Sequence, residues 1–468
     1  MVTELLRPGM RIHLVGIGGI GLSAIARVLH GWGYQVSGSD RQPSALTARL
    51  AAEGMRVYAG HKADQVAGAN VVFVSSAVAE DNPEVAEARR HGVPVVKRDQ
   101  FLPDLTAGKV TIAVAGTHGK TTTSAMIAWI LVQAGLDPTF IVGGVLANLG
   151  TNARAGQGPH FVIEADEYDR AFLGLWPQVA VITAIEHDHP DCYPTFAEMR
   201  DAFARFAVQA RASGVLIVGG EDREARGLGE TWHRIGGQAA TFGLGPGWDW
   251  RAEQVQLETA TSFEVWRTTR RLGGCALGLP GRHNVLNALA ALAAADAIGV
   301  SFEVAVRALS EFRGTARRFE RKGEAGGVTV VDDYAHHPTE IRATLAAAKA
   351  RYPGRAIWAV FQPHTYSRTV SLIEQFGTAF GDADHVLVTG IYAARESDTL
   401  GVSGADVAAQ IRQNGHRDVE YVETLDGATD AVLEQVRPGD VLLTMGAGDS
   451  YLVGEWVLEG LEGRGGKG

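Results

Sequence analysis

The chain has 468 residues with a net charge of −10, of which 46% are hydrophobic and 21% charged, a soluble globular composition too long for one core that calls for two to four domains. The acidic balance, with no concentrated basic run, excludes an electrostatic nucleic-acid binder, and no apolar run approaches the roughly 18 residues of a membrane span. Two scattered cysteines, Cys192 and Cys275, offer neither a disulfide framework nor a zinc site. The segment Met1 to Met10 carries Glu4 and Arg7 and no apolar centre, so no signal peptide is expected and the location reads as cytoplasmic. The tail from Gly460 to Gly468 reads as frayed.

Arg11 to Val15 reads as a buried strand running into Gly16-Ile17-Gly18-Gly19-Ile20-Gly21, then a helix from Leu22 to about Gly31. A second strand, Gln35 to Gly38, ends in Ser39-Asp40. A Gly-x-Gly-x-x-Gly turn with an acid about 20 residues on has the form of a dinucleotide site. Taken alone it suggests NAD, although the loop itself reports only diphosphate binding. A strand from Val71 to Val74 ends in Ser75-Ser76, a polar edge for the same crevice. Pro83 to His91 is helical, Val93 to Val96 a strand, and Arg98 to Lys109 a connector that closes a first domain near residue 106.

The second domain opens on Val110 to Ala115, an apolar strand that turns through Gly116-Thr117-His118-Gly119-Lys120-Thr121-Thr122 into a helix. Such a turn curls backbone N–H groups around phosphate oxygens at a positive helix end. Lys120 then reaches the terminal phosphates and the Thr121 hydroxyl a magnesium ion. Val114 stands where the usual pattern has its first glycine, so this is a shortened variant. The glycine-rich stretch from Val142 to Gly150 reads either as a substrate loop or as a connection. Strand Phe161 to Glu167 ends in Glu164, Asp166 and Glu167, and strand Val179 to Thr183 leads to Glu186-His187-Asp188-His189-Pro190-Asp191. Acid-rich strand ends beside a phosphate loop suggest magnesium sites. A helix runs from Thr195 to about Ala212 and a strand from Val215 to Val218, and Glu230 to Leu279 alternates as an antiparallel excursion. His283 and Asn287 share a face of the following alanine-rich helix, as ligands of one planar group or as caps.

A hinge near residue 313 precedes a third domain, 314–468. Its strands end in polar residues: Val328 to Val331 before Asp332-Asp333-Tyr334-Ala335-His336-His337, and Ala356 to Phe361 before His364-Thr365-Tyr366-Ser367-Arg368. Val386 to Thr389 and Val441 to Thr444 lead to Arg395-Glu396 and to Gly446-Ala447-Gly448-Asp449. Three α/β units, 1–106, 107–313 and 314–468, with mostly parallel sheets and polar C-terminal edges, imply ligands gathered in the clefts between them.

Taken together, Gly-Ile-Gly-Gly-Ile-Gly with Ser-Gly-Ser-Asp, Gly-Thr-His-Gly-Lys-Thr-Thr, Glu-Ala-Asp-Glu, Asp-His-Pro-Asp, Pro-Gly-Arg-His-Asn-Val-Leu-Asn-Ala, Arg-Arg-Phe-Glu and Asp-Asp-Tyr-Ala-His-His-Pro-Thr-Glu make a chain that resembles the Mur ligase family over essentially its whole length. The resemblance implies two outer Rossmann-like domains around a phosphate-loop ATPase domain. It also implies ATP-driven attachment of L-alanine to the lactyl carboxylate of UDP-N-acetylmuramate through an acyl phosphate, in peptidoglycan precursor synthesis. A ligase that re-attaches recycled murein tripeptide is the alternative, and a non-catalytic nucleotide sensor a more distant one.

By the same resemblance, residues Gly116 to Thr122, with His283, Asn287, Arg318 and Asp333, hold ATP. Thr121 and Glu164 bind one magnesium ion, and Glu164 with His189 a second. Gly18, Gly19, Ile20, Asp40, Ser75 and Ser76 take the UDP part, with His189, His364 and Arg368 on the substrate. Lys120, Glu164, His337 and Arg368 form the catalytic group, with His337 as the base. No lysine occurs between Lys120 and Lys322, so the carbamoylated lysine of other branches has no counterpart, and Pro190 replaces an expected methionine. The expected partners are small molecules, without nucleic acid or membrane, and the chain is expected as a monomer or weak homodimer. The third domain is expected to close over ATP about hinges near residues 106 and 313.

Overall fold

The computed structural model describes residues 5–211, 213–258 and 260–465. Residues 1–4 and the last three of the glycine-rich tail lie outside these, as do Ala212 and Thr259. The first sheet is built from β1 (Arg11–Val15), β2 (Gln35–Asp40), β3 (Arg56–Ala59), β4 (Val71–Val74) and β5 (Val95–Val96), all parallel in the order β3-β2-β1-β4-β5. Helices α1 (Ile20–Gly31), α2 (Ala45–Ala52), α3 (Pro83–Arg90) and α4 (Arg98–Leu105) cover it. Strand order reverses between β1 and β4, and there the crevice opens, between the glycine turn after Val15 and Ser75-Ser76 after Val74.

The middle sheet holds ten strands in the order β15-β14-β13-β12-β11-β10-β6-β9-β7-β8. Along the chain they are β6 (Val110–Ala115), β7 (Thr139–Leu146), β8 (Thr151–Arg154), β9 (His160–Glu164), β10 (Val179–Ile182), β11 (Val215–Gly219), β12 (Gln238–Leu244), β13 (Trp250–Gln256), β14 (Thr261–Arg267) and β15 (Arg270–Leu277). Its helices are α5 (Lys120–Gln133), α6 (Phe196–Val208), α7 (Arg223–Arg234), α8 (Arg282–Ala297) and α9 (Phe302–Ser310), with a 3-10 segment at Tyr168–Gly174. α5 and α8 are buried on nearly every face, and small side chains such as Ala288, Ala291 and Ala295 let α8 lie close against α5 and the sheet.

The third sheet, ordered β16-β17-β21-β18-β19-β20, has one antiparallel edge strand and is otherwise parallel. Its strands are β16 (Glu320–Ala325), β17 (Val328–Asp333), β18 (Ile357–Phe361), β19 (His385–Val388), β20 (Val419–Tyr421) and β21 (Val441–Met445). Helices α10 (Pro338–Arg351), α11 (Tyr366–Phe376), α12 (Gly404–Gln413), α13 (Leu425–Gln435) and α14 (Tyr451–Gly465) flank it.

Four local expectations change. The connector at 98–109 contains α4, whose Phe101, Leu102 and Leu105 are buried while an internal proline, Pro103, weakens its helical signature. Val142 to Leu146 continues a strand rather than a loop. The excursion at 230–279 joins the middle sheet: β12 and β13 run parallel to their predecessors, and only β13, β14 and β15 alternate, because Trp250, Phe263 and Val265 pack into the same core as α8. The tail is helical to Gly465.

The three units are joined unequally. One apolar cluster runs from Leu14, Ile25 and Phe73 of the first unit into Phe161, Phe172 and Phe203 of the second, with the Trp32 and Phe161 rings 6.2 Å apart edge to face. This packing opposes the hinge expected near residue 106. The third unit has its own cores and meets the second through polar groups and the strap Leu146–Thr315. Phe161→Ala should therefore cost about 3–5 kcal/mol and lower one calorimetric transition shared by the first two units. Separate transitions for residues 1–106 and 107–313 would refute that coupling.

Candidate active site

Register builds the site. β6 lies between β9, with Val114 opposite Glu164, and β10, with Ala115 opposite Ile182, so the three strands end together. The phosphate loop, the acids Glu164 to Glu167 and the Glu186-His187-Asp188-His189 turn therefore share one edge. Gly119 begins α5 at φ 79°, and a Cβ there would fall 2.5 Å from Asn287 Oδ1, so only glycine fits. The Lys120 ammonium donates to the Gly116 carbonyl at 2.6 Å and to Glu167 Oε1 at 2.8 Å. Burial disfavours its charge, but Glu167 and Glu164 outweigh burial and raise its pKa. Glu164 Oε2 accepts the Gly143 N–H at 2.7 Å, and a Cβ on Gly143 would meet Glu164 Oε2 at 2.5 Å and Thr121 Oγ1 at 2.7 Å. Hydroxyl and carboxylate thus converge on a cradle with no room for a side chain. Burial lifts the Glu164 carboxyl above its ordinary value, and the buried Glu167 Oε2 has no hydrogen-bond partner among the described residues.

Two cavities flank this group. One, of about 350 Å³, is walled by His118, Gly119 and Thr122, by His283 and Asn287 of α8, and by Arg318, Asp333 and Glu340 of the third unit. Burial pushes the His283 imidazole down to about 4, leaving it neutral at pH 7. Asn287 also accepts the Thr123 hydroxyl at 3.2 Å, tying α8 to the phosphate-loop helix. Asp333, raised by burial to about 6, accepts the Phe319 N–H at 2.7 Å and the Ala335 N–H at 2.8 Å. The second cavity, of about 480 Å³, is a cleft between all three units. Gly19, Ile20, Ser75 and Ser76 come from the first, Asp166, Tyr168 and His189 from the second, and His364, Arg368 and Arg395 from the third. His189, Thr365 and Ala394 there adopt φ of 55°, 62° and 52°, left-handed backbone that costs a non-glycine residue energy.

Some expected residues fall elsewhere. Gly18 and Asp40 are not among the residues lining the cleft, and the Gly18 N–H donates to Asp40 Oδ2 at 2.9 Å. The carboxylate neighbours of His189 are Glu167 and Asp188, each 3.6 Å away, rather than Glu164. His337 is 2% exposed and accepts the Thr339 N–H as the N-cap of α10, its ring 4.8 Å from that of His118. The cap occupies Nδ1, and burial pushes the imidazole down to about 4, so the ring is neutral at pH 7. The ring nearer His364 is His336, at 6.2 Å. Sequence reading also missed Arg98, whose Nη1 donates to Asp166 Oδ2 at 2.8 Å in the cleft wall. It passed over Glu340, whose spacing after His337 is that of a capping box.

His118, Glu186 and His337 form the one group of this kind with metal-ligand spacing among the described residues. Hydrogen bonds already account for it: His118 bonds Glu186 at 3.0 Å and Glu340 at 3.2 Å, and Thr339 donates to Glu186 at 2.8 Å. The group is a polar clasp between the phosphate loop and α10.

The catalytic-domain profile of the Mur ligase family matches residues 11–110, its middle domain residues 114–295 and its glutamate ligase domain residues 317–448. The chain belongs to the Mur ligase family. It is 46% identical over 449 residues to the UDP-N-acetylmuramate–L-alanine ligase of Geobacter sp. (strain M21), covering 96% of this chain and 97% of that one. Identity to the enzyme of the same name from Salinibacter ruber is also 46%, over 97% of this chain and 96% of that one. Among solved structures, the UDP-N-acetylmuramate-alanine ligase of Thermotoga maritima superposes with a TM-score of 0.82 at 32% identity, over 97% of this chain and 100% of that one. A murein peptide ligase of Psychrobacter arcticus gives 0.71 at 26%, over 97% and 99%. A ligase family leaves the nicotinamide reading of the first glycine loop without support.

The clasp of this Mur ligase should respond to pH. Burial disfavours charge on His118, but the bonds to Glu186 and Glu340 raise it from 6.5 to about 9. A raised pKa means that the stabilisation is full below about pH 6.5 and is lost as pH rises through about 9. Protease cleavage around residue 313 should accelerate between pH 7 and pH 10 in the wild type, and that step should vanish in His118→Gln. Identical pH curves for both proteins would exclude the clasp.

Proposed function

We propose that this chain is an ATP-dependent ligase joining L-alanine to the lactyl carboxylate of UDP-N-acetylmuramate. One observation carries the reading. A cavity of about 350 Å³ lined by Gly119 and a three-unit cleft lined by Asp166 and His189, with a helix N-terminus on its wall, adjoin Lys120 and Glu167 through these chain neighbours, and Lys120 Nζ lies 2.8 Å and His189 Nε2 3.6 Å from Glu167 Oε1. A γ-phosphate and a carboxylate brought from opposite sides would face each other there.

A carboxylate is a poor electrophile, so its oxygen first takes the γ-phosphoryl group, giving an acyl phosphate and ADP. Phosphoryl transfer needs positioning and charge neutralisation more than covalent help. Lys120 and the loop amides hold the β- and γ-phosphates, Arg318 approaches from the third unit, and His283 with Asn287 faces the base. L-alanine, its carboxylate held by Arg368 and His364, then attacks the acyl carbon through its amine. The C–N bond forms, the C–O bond to phosphate breaks, and the proton the amine gives up passes to the departing phosphate. The Thr121 hydroxyl, Glu164 and the unpartnered oxygen of Glu167 are hard oxygen donors that fit magnesium, and His189 stands beside them. Bound magnesium supplies neutralisation of the phosphates' charge. The same reading makes the partners small molecules, the compartment the cytoplasm, and the chain a monomer or weak homodimer.

Phosphate release from ATP, with magnesium, should require UDP-N-acetylmuramate and L-alanine together. It should fall on the order of a thousand-fold in Lys120→Ala. Release with L-alanyl-γ-D-glutamyl-diaminopimelate but not with L-alanine would move the chain to peptide recycling, and release with neither would end the ligase reading.

A further inference from the structure

The first unit contains a polar knot that the reaction does not use. Glu84, in the first turn of α3, is wholly buried, as are His13 of β1 and Ser39 of β2. Its Oε2 accepts His13 Nε2 at 2.5 Å, and its Oε1 accepts the Ser39 hydroxyl at 2.7 Å and His61 Nδ1 at 2.7 Å. His13 Nδ1 in turn accepts the Ser37 hydroxyl at 2.9 Å. Asn82 caps α3 through the Glu84 N–H at 2.9 Å, with Pro83 at the first helical position, so the carboxylate is presented by a fixed backbone. Four separate elements thus meet at one carboxylate.

Burying a carboxylate under a sheet is costly unless its lone pairs are filled, and apolar residues of similar volume commonly stabilise as well. Its worth therefore lies in geometry, which the next shell of bonds makes specific. The Ser39 carbonyl accepts the N–H groups of Gly16 at 2.8 Å and Ile17 at 3.0 Å, and the adjacent Asp40 accepts that of Gly18 at 2.9 Å. Three consecutive amides of the glycine turn are held by the end of β2, and the end of β2 is held by Glu84.

We propose that Glu84 is a positioning residue for the sugar-nucleotide subsite: through Ser39 it fixes the end of β2 that sets the glycine turn in the conformation that receives the diphosphate. The inference rests on the ligase reading above. It touches neither ATP nor the reacting atoms, so the ATP cavity is unaffected by loss of the knot.

Calorimetric titration of the full-length chain with UDP-N-acetylmuramate, and separately with ATP, tests this. Glu84→Ala should weaken the sugar nucleotide about 10- to 100-fold, the loss expected when bonds to a buried charged group are removed, with ATP affinity within about two-fold of wild type. Ser39→Ala, a smaller change that spares the helix, should weaken it in the same direction, and Ser39→Thr, which keeps the hydroxyl, should restore it. Because the two residues act in series, the double variant should lose no more than Glu84→Ala alone. In turnover, KM for the sugar nucleotide should rise while kcat at saturation holds. Unchanged sugar-nucleotide affinity in both alanine variants would overturn the inference, and so would a parallel loss of ATP affinity, the mark of general destabilisation. A wild-type chain that fails to bind UDP-N-acetylmuramate would instead overturn the ligase reading.

Discussion

The buried ammonium of Lys120 is the constraint around which the molecule is arranged. A lysine 13% exposed at the edge of a sheet must have an anionic partner. The parallel register of β6 and β9 provides three, with Glu164, Asp166 and Glu167 all acting on it. Those carboxylates in turn gather what surrounds them: Asp166 holds Arg98, Glu167 holds His189, and Glu164 holds the Gly143 amide beside Thr121. Positive and negative charge are thereby concentrated at the shared edge of three strands.

The two interfaces of the middle unit differ in chemistry, and this sets which of them can move. Against the first unit it shares an apolar core, which resists opening because every exposed aromatic face is returned to water. Against the third it offers polar pairs, Arg368 with Asp188 at 2.8 Å, His118 with Glu340 at 3.2 Å and Thr339 with Glu186 at 2.8 Å, together with the Arg395 guanidinium 4.7 Å over the Tyr168 ring. Such groups can exchange protein partners for water at modest cost. The third unit, which bears His364, Arg368 and Arg318, is therefore the less firmly held of the two outer units.

Much of this was legible locally. Apolar runs such as Val110 to Ala115 and Val328 to Val331 read as buried parallel strands because a short run rich in β-branched residues with no polar alternation suits a strand covered on both faces, and their polar successors read as an edge site. Where local signal conflicted with tertiary packing, reading failed. Pro103 disguised α4, and the glycines at 143 and 144 disguised a strand whose bend admits Glu164 and Thr121. His336 and His337 are neighbours with equal claims in the sequence, and only the start of α10 decides that one ring caps the helix while the other approaches His364.

The sequence by itself determined the units, the phosphate loop and the chemistry available at each strand end, because turns, caps and buried runs are written in consecutive residues. Pairing across distance was settled only by the tertiary structure. Glu84 with His13, Ser39 and His61, Arg98 with Asp166, and His118 with Glu340 join residues 23 to 222 positions apart. Which donor satisfies a buried carboxylate depends on strand order and register, and no local pattern of side chains encodes these.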